Sequence, residues 1–371
     1  MLGKAMALDP FFAQKKILIL DPDPKESNDR TWCFWEKKPG PFQALLSQSW
    51  SAIGVSDKGG IQTKSIAPYQ YNMLEGAPFY QAMKAAIAQA AHIEFKQEAV
   101  LQINLQKEGL QQLTSSAGSY VAKRVLDSRF DYAPLLKQKK YPVLQQHFIG
   151  WFVKTKKPVF NKEEALFMDF SVAQNGNTRF MYLLPSSRTE ALVEYTLFSK
   201  TLLETSEYET AIKEYLAQLG VKDYEITAKE QGSIPMSCYP FHKDHNAGYL
   251  KIGTAGGWSK ASTGFTFQNT LKKTTALVQF LKTGKALDQF YRKNRFWLYD
   301  LVLLEVLATD NSQGKAIFEG LFRKRPAALV LKFLSEETHF LEELYIMSAA
   351  PILRFSKAFF KVLYREFFSS L

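Results

Sequence analysis

Cysteine is almost missing from this chain: Cys33 and Cys238 are the two in 371 residues. That excludes a disulfide framework and is compatible with a reducing compartment. Histidine is scarce too, five in all. His92 reads as a capping or surface residue at a helix end, and His242 and His245 as part of a polar turn, because no partner stands at metal-ligand spacing. No apolar run reaches the ~20 residues that a membrane-crossing helix needs. The first residues lack the charged-then-apolar layout of a signal peptide. Internal repeats, low-complexity tracts and flexible linkers are all absent. Acidic residues are the minority sign, 36 Asp and Glu against 47 Lys and Arg, for a net charge of +11. A basic balance points to nucleic acid, an anionic membrane or an acidic ligand. Zinc spacing, RNA-binding signatures and a helix-turn-helix are lacking, so nucleic acid is not an expected partner and a membrane surface fits better.

Aromatic residues are plentiful at 14%, with 29 Phe and 17 Tyr. They suit a Phe-rich core, a large apolar cavity for a long hydrophobic ligand, or both. Lys16 to Leu20 (KILIL) reads as a buried strand ending at Asp21. An acid at the end of a second Rossmann strand hydrogen-bonds the ribose of a dinucleotide. The GxGxxG turn that belongs about 20 residues earlier is not present. Two readings stay open: a start that lies upstream, or loss of the pyrophosphate loop. Much later, YLKIGTAGGWSKASTGFTFQNT (Tyr249 to Thr270) reads as strand, glycine turn, helix. Such a turn lets backbone approach a ligand, and free N–H groups at a helix start suit phosphate.

Two carboxylates stand in otherwise apolar strands, Asp169 in ALFMDFS and Glu194 in ALVEYTLFS; Glu230 lies in a further strand, read from Asp223 to Ile234. Burying a carboxylate is costly unless it is paired or used. Burial also raises its pKa, and a carboxyl that is neutral at neutral pH can donate a proton. Strand alternation leaves the other reading open, in which Glu194 points to water.

Several strings carry a resemblance: NDRTWCFW (Asn28 to Trp35), VLDSR ending the strand at Asp127, QHFIGW with His147 and Trp151, MDF, EQGSIPM and the AGGWSKASTGF segment. In this order they resemble the lycopene cyclase family. The resemblance implies an α/β fold: an FAD-binding, Rossmann-like (glutathione reductase-type) flavoprotein with an interleaved antiparallel-sheet substrate subdomain and a helical C-terminal part. The FAD-binding part is expected over 1-65, 93-135 and 245-285, the substrate part over 66-92 and 136-244, and the helical region over 286-371. The implied reaction is a non-redox, acid-catalysed closure of lycopene's acyclic ends to β-ionone rings, with reduced FAD and with NADPH as reductant. Glu194 is then the acid, with Glu230 and Asp169 as further catalytic candidates. Cofactor contacts fall to Asp21, Arg30, Asp127, Gly253, Ala255, Gly256, Thr263 and Gly264. Trp32, Trp35, Trp151 and His147 are expected to face substrate and cation. An FAD- and NADPH-dependent oxidoreductase on an apolar substrate is the runner-up, and an inactive truncated remnant the third reading.

The last helix, Ile352 to Phe368, places Arg354, Lys357, Lys361 and Arg365 along one stripe. Such a helix lies in a membrane interface or packs on the core. With a membrane-dissolved substrate, the expectation is a cytoplasmic protein peripherally bound to the inner face of the cell membrane.

Overall fold

A computed structural model describes residues 1–57, 59–105 and 109–368. In chain order the strands are β1 (Ile17–Leu20), β2 (Thr31–Glu36), β3 (Gln48–Trp50), β4 (Ala52–Asp57), β5 (Gly60–Ser65) and β6 (Gln70–Glu75). Next come β7 (Ile93–Lys96), β8 (Val100–Asn104), β9 (Gln111–Ser115), β10 (Ser119–Ala122) and β11 (Val125–Asp127). The rest are β12 (Leu144–Thr155), β13 (Ala165–Asp169), β14 (Thr178–Pro185), β15 (Glu190–Ser199), β16 (Tyr224–Met236) and β17 (Tyr249–Lys251). The helices are α1 (Leu2–Leu8), α2 (Gly76–Ala88), α3 (Ala133–Lys137), α4 (Thr205–Gln218) and α5 (Phe267–Lys282). A helical end follows: α6 (Arg295–Thr309), α7 (Gly314–Lys324), α8 (Ala327–Leu334), α9 (Phe340–Met347) and α10 (Ile352–Phe368).

The centre is a seven-stranded sheet ordered β16-β12-β15-β14-β13-β4-β5. Its strands are long and rich in aromatic and β-branched residues, which suit a pleated, buried surface. Alternation sends side chains to two faces. Ile149, Trp151 and Val153 of β12 join Met181, Val193, Tyr195 and Leu197 beneath Tyr208, Ile212 and Leu216 of α4. On the other face Leu144, Leu192 and Phe198 meet Trp35, Tyr71, Leu301, Phe318 and Leu331. Both faces are covered, so neither reads as polar.

Strands β2, β6 and β3 form a separate antiparallel sheet in that order, and the other strands form a further layer. β1 pairs with β7 and β11 with β17, each in parallel, beside the β8–β9–β10 meander. Met6, Ile93, Leu250, Trp258, Leu277 and Leu281 fill their core.

Three local placements follow from packing. Helix α2 starts at Gly76, because Pro78 lacks only an N–H that a first turn leaves unused. Residues 52–57 and 60–65, expected in the FAD-binding part, form β4 and β5 of the large sheet, where Ile53 and Val55 are buried. The α2 segment, expected in the substrate part, packs against α1, with Ile87 beside Gly3. Burial explains both moves: these residues go where apolar partners exist.

The basic stripe of α10 also turns out differently. Arg354 pairs with Asp310 at 2.9 Å, and Lys361 and Arg365 both pair with the buried Glu305. Those cations fasten α10 to α6. Apolar side chains face outward beside them: Leu353 is 88% exposed, Phe360 68%, and Leu341 of α9 71%.

Candidate functional site

One row of residues crosses four strands. Tyr182 of β14 lies opposite Glu194 of β15, Glu194 opposite Gly150 of β12, and Gly150 opposite Glu230 of β16. Residues in register share a face, so these side chains project together. Gly150 contributes none, and the two carboxylates flank the space it leaves. A Cβ on Gly150 would stand 3.4 Å from Glu194 Cβ and 3.3 Å from Glu230 Cγ.

Strand β2 lies over this row. Its odd positions, Thr31, Cys33 and Trp35, face it. Thr31 Oγ1 donates to Glu230 Oε2 at 2.7 Å, and Thr196 Oγ1 donates to Glu194 Oε1 at 2.6 Å. Cys33 lies beside Tyr182 and Tyr71, whose hydroxyls share a short hydrogen bond. Trp35 donates to Leu331 O and Ser335 Oγ, and stands edge-on to Phe265 at 4.7 Å. Thr31, Cys33 and Tyr182 keep accessible surface, whereas Glu194 and Glu230 are nearly closed off.

Electrostatics follow from this burial. Desolvation, with the Glu230 charge added, pushes Glu194 far above the usual carboxylate range. Glu230 is raised as well, by desolvation and by the Glu75 and Asp29 carboxylates, against the Thr31 hydrogen bond. Burial likewise pushes the Cys33 thiol up, so it is a neutral neighbour. Among the described residues neither glutamate has a Lys or Arg partner. The arrangement is an acid site: two carboxyls that resist ionisation, in an apolar and aromatic surround.

Other candidates lie elsewhere. Asp169 is on the α4 face, where Tyr215 OH donates to it at 2.7 Å. His147 is on that face too, between Tyr208 OH and Ser199 Oγ, and burial with the Arg179 charge pushes it down to about 4. Trp151 packs there under Lys213 and Lys229. The sheet separates all three from Glu194. Trp32, an even position of β2, points away from the row into Phe79, Tyr80 and Phe267. Trp35 alone of the four lies beside the row.

The cofactor candidates gather in part. Asp127 of β11 sits level with Lys251 of β17, and its carbonyl accepts from Ile252 N, next to Gly253. Its carboxylate accepts from Arg129 and Tyr249. Gly253 has φ +59° with open space where a Cβ would stand. Gly256 presses its Cα against Lys251 O so closely that a Cβ would collide. Gly264, at φ +72°, abuts Gln146 of β12, on the same face as Gly150. Ala255 is buried, and Thr263 Oγ1 is buried with no partner. An open glycine turn and an orphaned hydroxyl fit a group bound against this loop. Asp21 follows directly after β1, accepts from Asp23 N and pairs with Lys25. Arg30 is paired with Asp29 and lies over Trp32.

Sequence reasoning missed Tyr182, Gly150, Thr31, Cys33 and Thr196. A signal existed for the last three: strand parity separates Thr31 and Cys33 from Trp32, and Thr196 shares Glu194's parity. The pairing of Tyr182 and Gly150 with Glu194 depends on strand order, which no local pattern carries.

Parallel strand pairs, a glycine loop and a large covered sheet define a flavoprotein-type fold. Similar solved structures agree. A geranylgeranyl bacteriochlorophyll reductase-like protein from Thermoplasma acidophilum aligns over 96% of this chain and 94% of its own, with a TM-score of 0.65 at 12% identity. A flavoprotein/dehydrogenase from Cytophaga hutchinsonii aligns over 96% and 95%, with a TM-score of 0.56 at 12% identity. Within that class the chain belongs to the lycopene cyclase family, whose model, described as lycopene cyclase protein, matches residues 5–360. It is similar to a lycopene beta-cyclase from Paracoccus sp., 26% identical over 272 residues, 70% of this chain and 66% of that relative.

Proposed function

We propose that this protein closes the acyclic ends of lycopene into β-ionone rings, an isomerisation with no net redox change, and that Glu194 supplies the proton. The observation that carries the reading is Glu194 itself: buried, with its pKa raised, set in register with Tyr182 and Glu230 on an apolar face. Protonating a terminal double bond requires an acid that is neutral at working pH and held in place. Ring closure then creates a tertiary cation. Trp35, Tyr71, Phe167 and Phe265 ring the site with aromatic faces, which favour positive charge. Their packing with Leu301 and Leu304 also keeps water from quenching the cation.

FAD is the cofactor this reading takes, held by Asp127, Gly253, Ala255, Gly256, Thr263 and Gly264, with Asp21 and Arg30 as further contacts and NADPH as the source of its electrons. Bound and reduced, it supplies an electron-rich ring that favours nearby positive charge. Among the described residues no helix is long and apolar enough to cross a membrane. Peripheral contact at the inner face of the cell membrane, through the outward apolar faces of α9 and α10, is the proposed route to a membrane-dissolved hydrocarbon.

The test is expression in lycopene-accumulating bacterial cells, with pigments separated by chromatography. Wild type should yield cyclic carotenes and Glu194→Gln none, at equal soluble protein. Near-normal cyclisation by Glu194→Gln would remove it from the role.

A further inference from the structure

Cyclisation needs two proton events at one end group. A proton is added to the terminal double bond, and another is lost from the carbon where the ring joins the polyene. Glu194 accounts for the first. The row across the sheet holds a second carboxyl, Glu230, on the same face.

Gly150 is the pivot. Any larger residue there would stand between the carboxyls, and its Cβ would also press within 2.8 Å of Leu192 Cδ1. With glycine, Glu194 and Glu230 flank an empty position on one face of three adjacent strands. Each carboxyl accepts from its own threonine, and the two threonines come from different strands. Neither carboxyl is spent on a salt bridge among the described residues. Two such acids in one low-dielectric site hold a proton between them, because both cannot ionise cheaply.

Resting on the cyclase reading, we propose that Glu194 and Glu230 act as a pair, Glu194 as the acid and Glu230 as the base. Glu194 gives its proton to the terminal double bond, and the positive charge passes to the neighbouring tertiary carbon. The electrons of the next double bond form the ring's new carbon–carbon bond, which moves the charge into the ring. The Glu230 carboxylate removes the proton at the ring junction, and that C–H pair becomes the ring double bond. One proton enters and one leaves, with no electrons exchanged with an outside donor. Glu194 ends ionised and Glu230 protonated, and passage of the proton back to Glu194 across the Gly150 gap restores the starting state.

The order of roles follows from the surroundings. Glu194 faces Glu230, Cys33, Tyr71 and Tyr182, all neutral or acidic, and is the more deeply buried of the two. Glu230 faces Thr31, Glu75 and Asp29, nearer to the edge of the site. The proton therefore rests on Glu194.

Two measurements test the pair. The first uses the flavin-loaded enzyme with lycopene in vesicles and compares Glu230→Gln with wild type. Glu230→Gln should slow turnover at least tenfold, divert product to rings with a displaced double bond, and lose the fall in rate on the acid side of the pH profile. Thr31→Val, which removes the donor that favours ionised Glu230, should move that acid-side fall to higher pH. Glu230→Gln with wild-type product, rate and pH profile would overturn the assignment. The second needs no turnover: the carboxyl stretching band of Glu194, followed by infrared difference spectroscopy against pH. It should titrate at lower pH in Glu230→Gln than in wild type, and an unchanged midpoint would overturn the pairing. If wild type makes no ring but the midpoint moves, the cyclase reading fails and the carboxyl pair stands. If wild type makes rings and neither readout moves, the pair fails and the cyclase reading stands.

Discussion

Replacing Lys260 with Met should be among the most damaging single changes outside the carboxyl row. Lys260 is 3% exposed, inside the loop that carries Thr263 and Gly264. Its ammonium lies 2.9 Å from Asp300 Oδ1 and 3.2 Å from Glu336 Oε1. Ser262 Oγ donates to the same Asp300 at 2.7 Å, and the Phe296 ring lies below the ammonium at 5.8 Å. The cluster thus fastens the glycine loop to α6. Burial opposes both charges, yet Lys260 is held above its ordinary range by Asp300 and Glu336. Removing one partner of a buried pair leaves the other charge uncompensated, at about 3–5 kcal/mol. Lys260→Met, which strands Asp300, should cost about that much, Asp300→Leu less because Glu336 still pairs with Lys260, and the double variant should lie within about 2 kcal/mol of wild type. Urea unfolding followed by tryptophan fluorescence measures all four corners of the cycle. The same proteins titrated with FAD report whether the loop has loosened. Additive losses, or a Lys260→Met loss below about 1 kcal/mol, would refute the account of a paired, desolvated cluster.

Four further outcomes are expected. Glu194 has a folded pKa above its unfolded value, so its neutral form is favoured in the fold and stability is lost as pH rises from the unfolded pKa through the folded one. Glu194→Gln should therefore gain on wild type by about 1.4 kcal/mol per pH unit across that window, as read from urea midpoints at several pH values. His147 has the opposite sense: a base held down to about 4, with stability present above the unfolded pKa and lost as pH falls through the folded one. That loss should reach up to about 3 kcal/mol and be absent in His147→Gln, measured by thermal melts between neutral and acid pH. Gly150→Ala should cost about 1–3 kcal/mol from crowding against Leu192 but lose most cyclisation, by a comparison of melts with product yields. Leu353→Glu with Phe360→Glu should abolish co-flotation with anionic vesicles and leave the melting temperature unchanged, since both side chains are exposed.

How far the chain could be read without coordinates differs from element to element. Glu194 was legible because a carboxyl amid Leu, Val, Tyr and Phe needs an explanation whatever the fold, whereas Glu230, between Lys229 and Gln231, stood out only through the resemblance of EQGSIPM. Asp169 met the same criterion but lies on the opposite face. A bulge between Leu166 and Asp169 shifts the strand's parity there, and a bulge leaves no local mark in the sequence. In NDRTWCFW the tryptophans drew attention, yet Thr31 and Cys33 meet the carboxyl row, because period-2 alternation sends Trp32 the other way. The glycine loop was legible from its own residues, whereas its anchor, Asp300, is 40 positions away in a helix. The stripe on α10 was visible as charge, but whether it faced lipid or Glu305 depended on how α10 packs on α6.

The central claim, proton-initiated ring closure without net redox, is tested most directly by isotope. Excess enzyme carrying reduced FAD, equilibrated in D2O, would be given lycopene for a single turnover, with the product examined by mass spectrometry and NMR and NADPH followed in parallel. The account predicts one deuterium in each new ring, on the carbon of the former terminal double bond, and no NADPH consumed in proportion to product. Rings without deuterium, or one NADPH consumed per product, would contradict it.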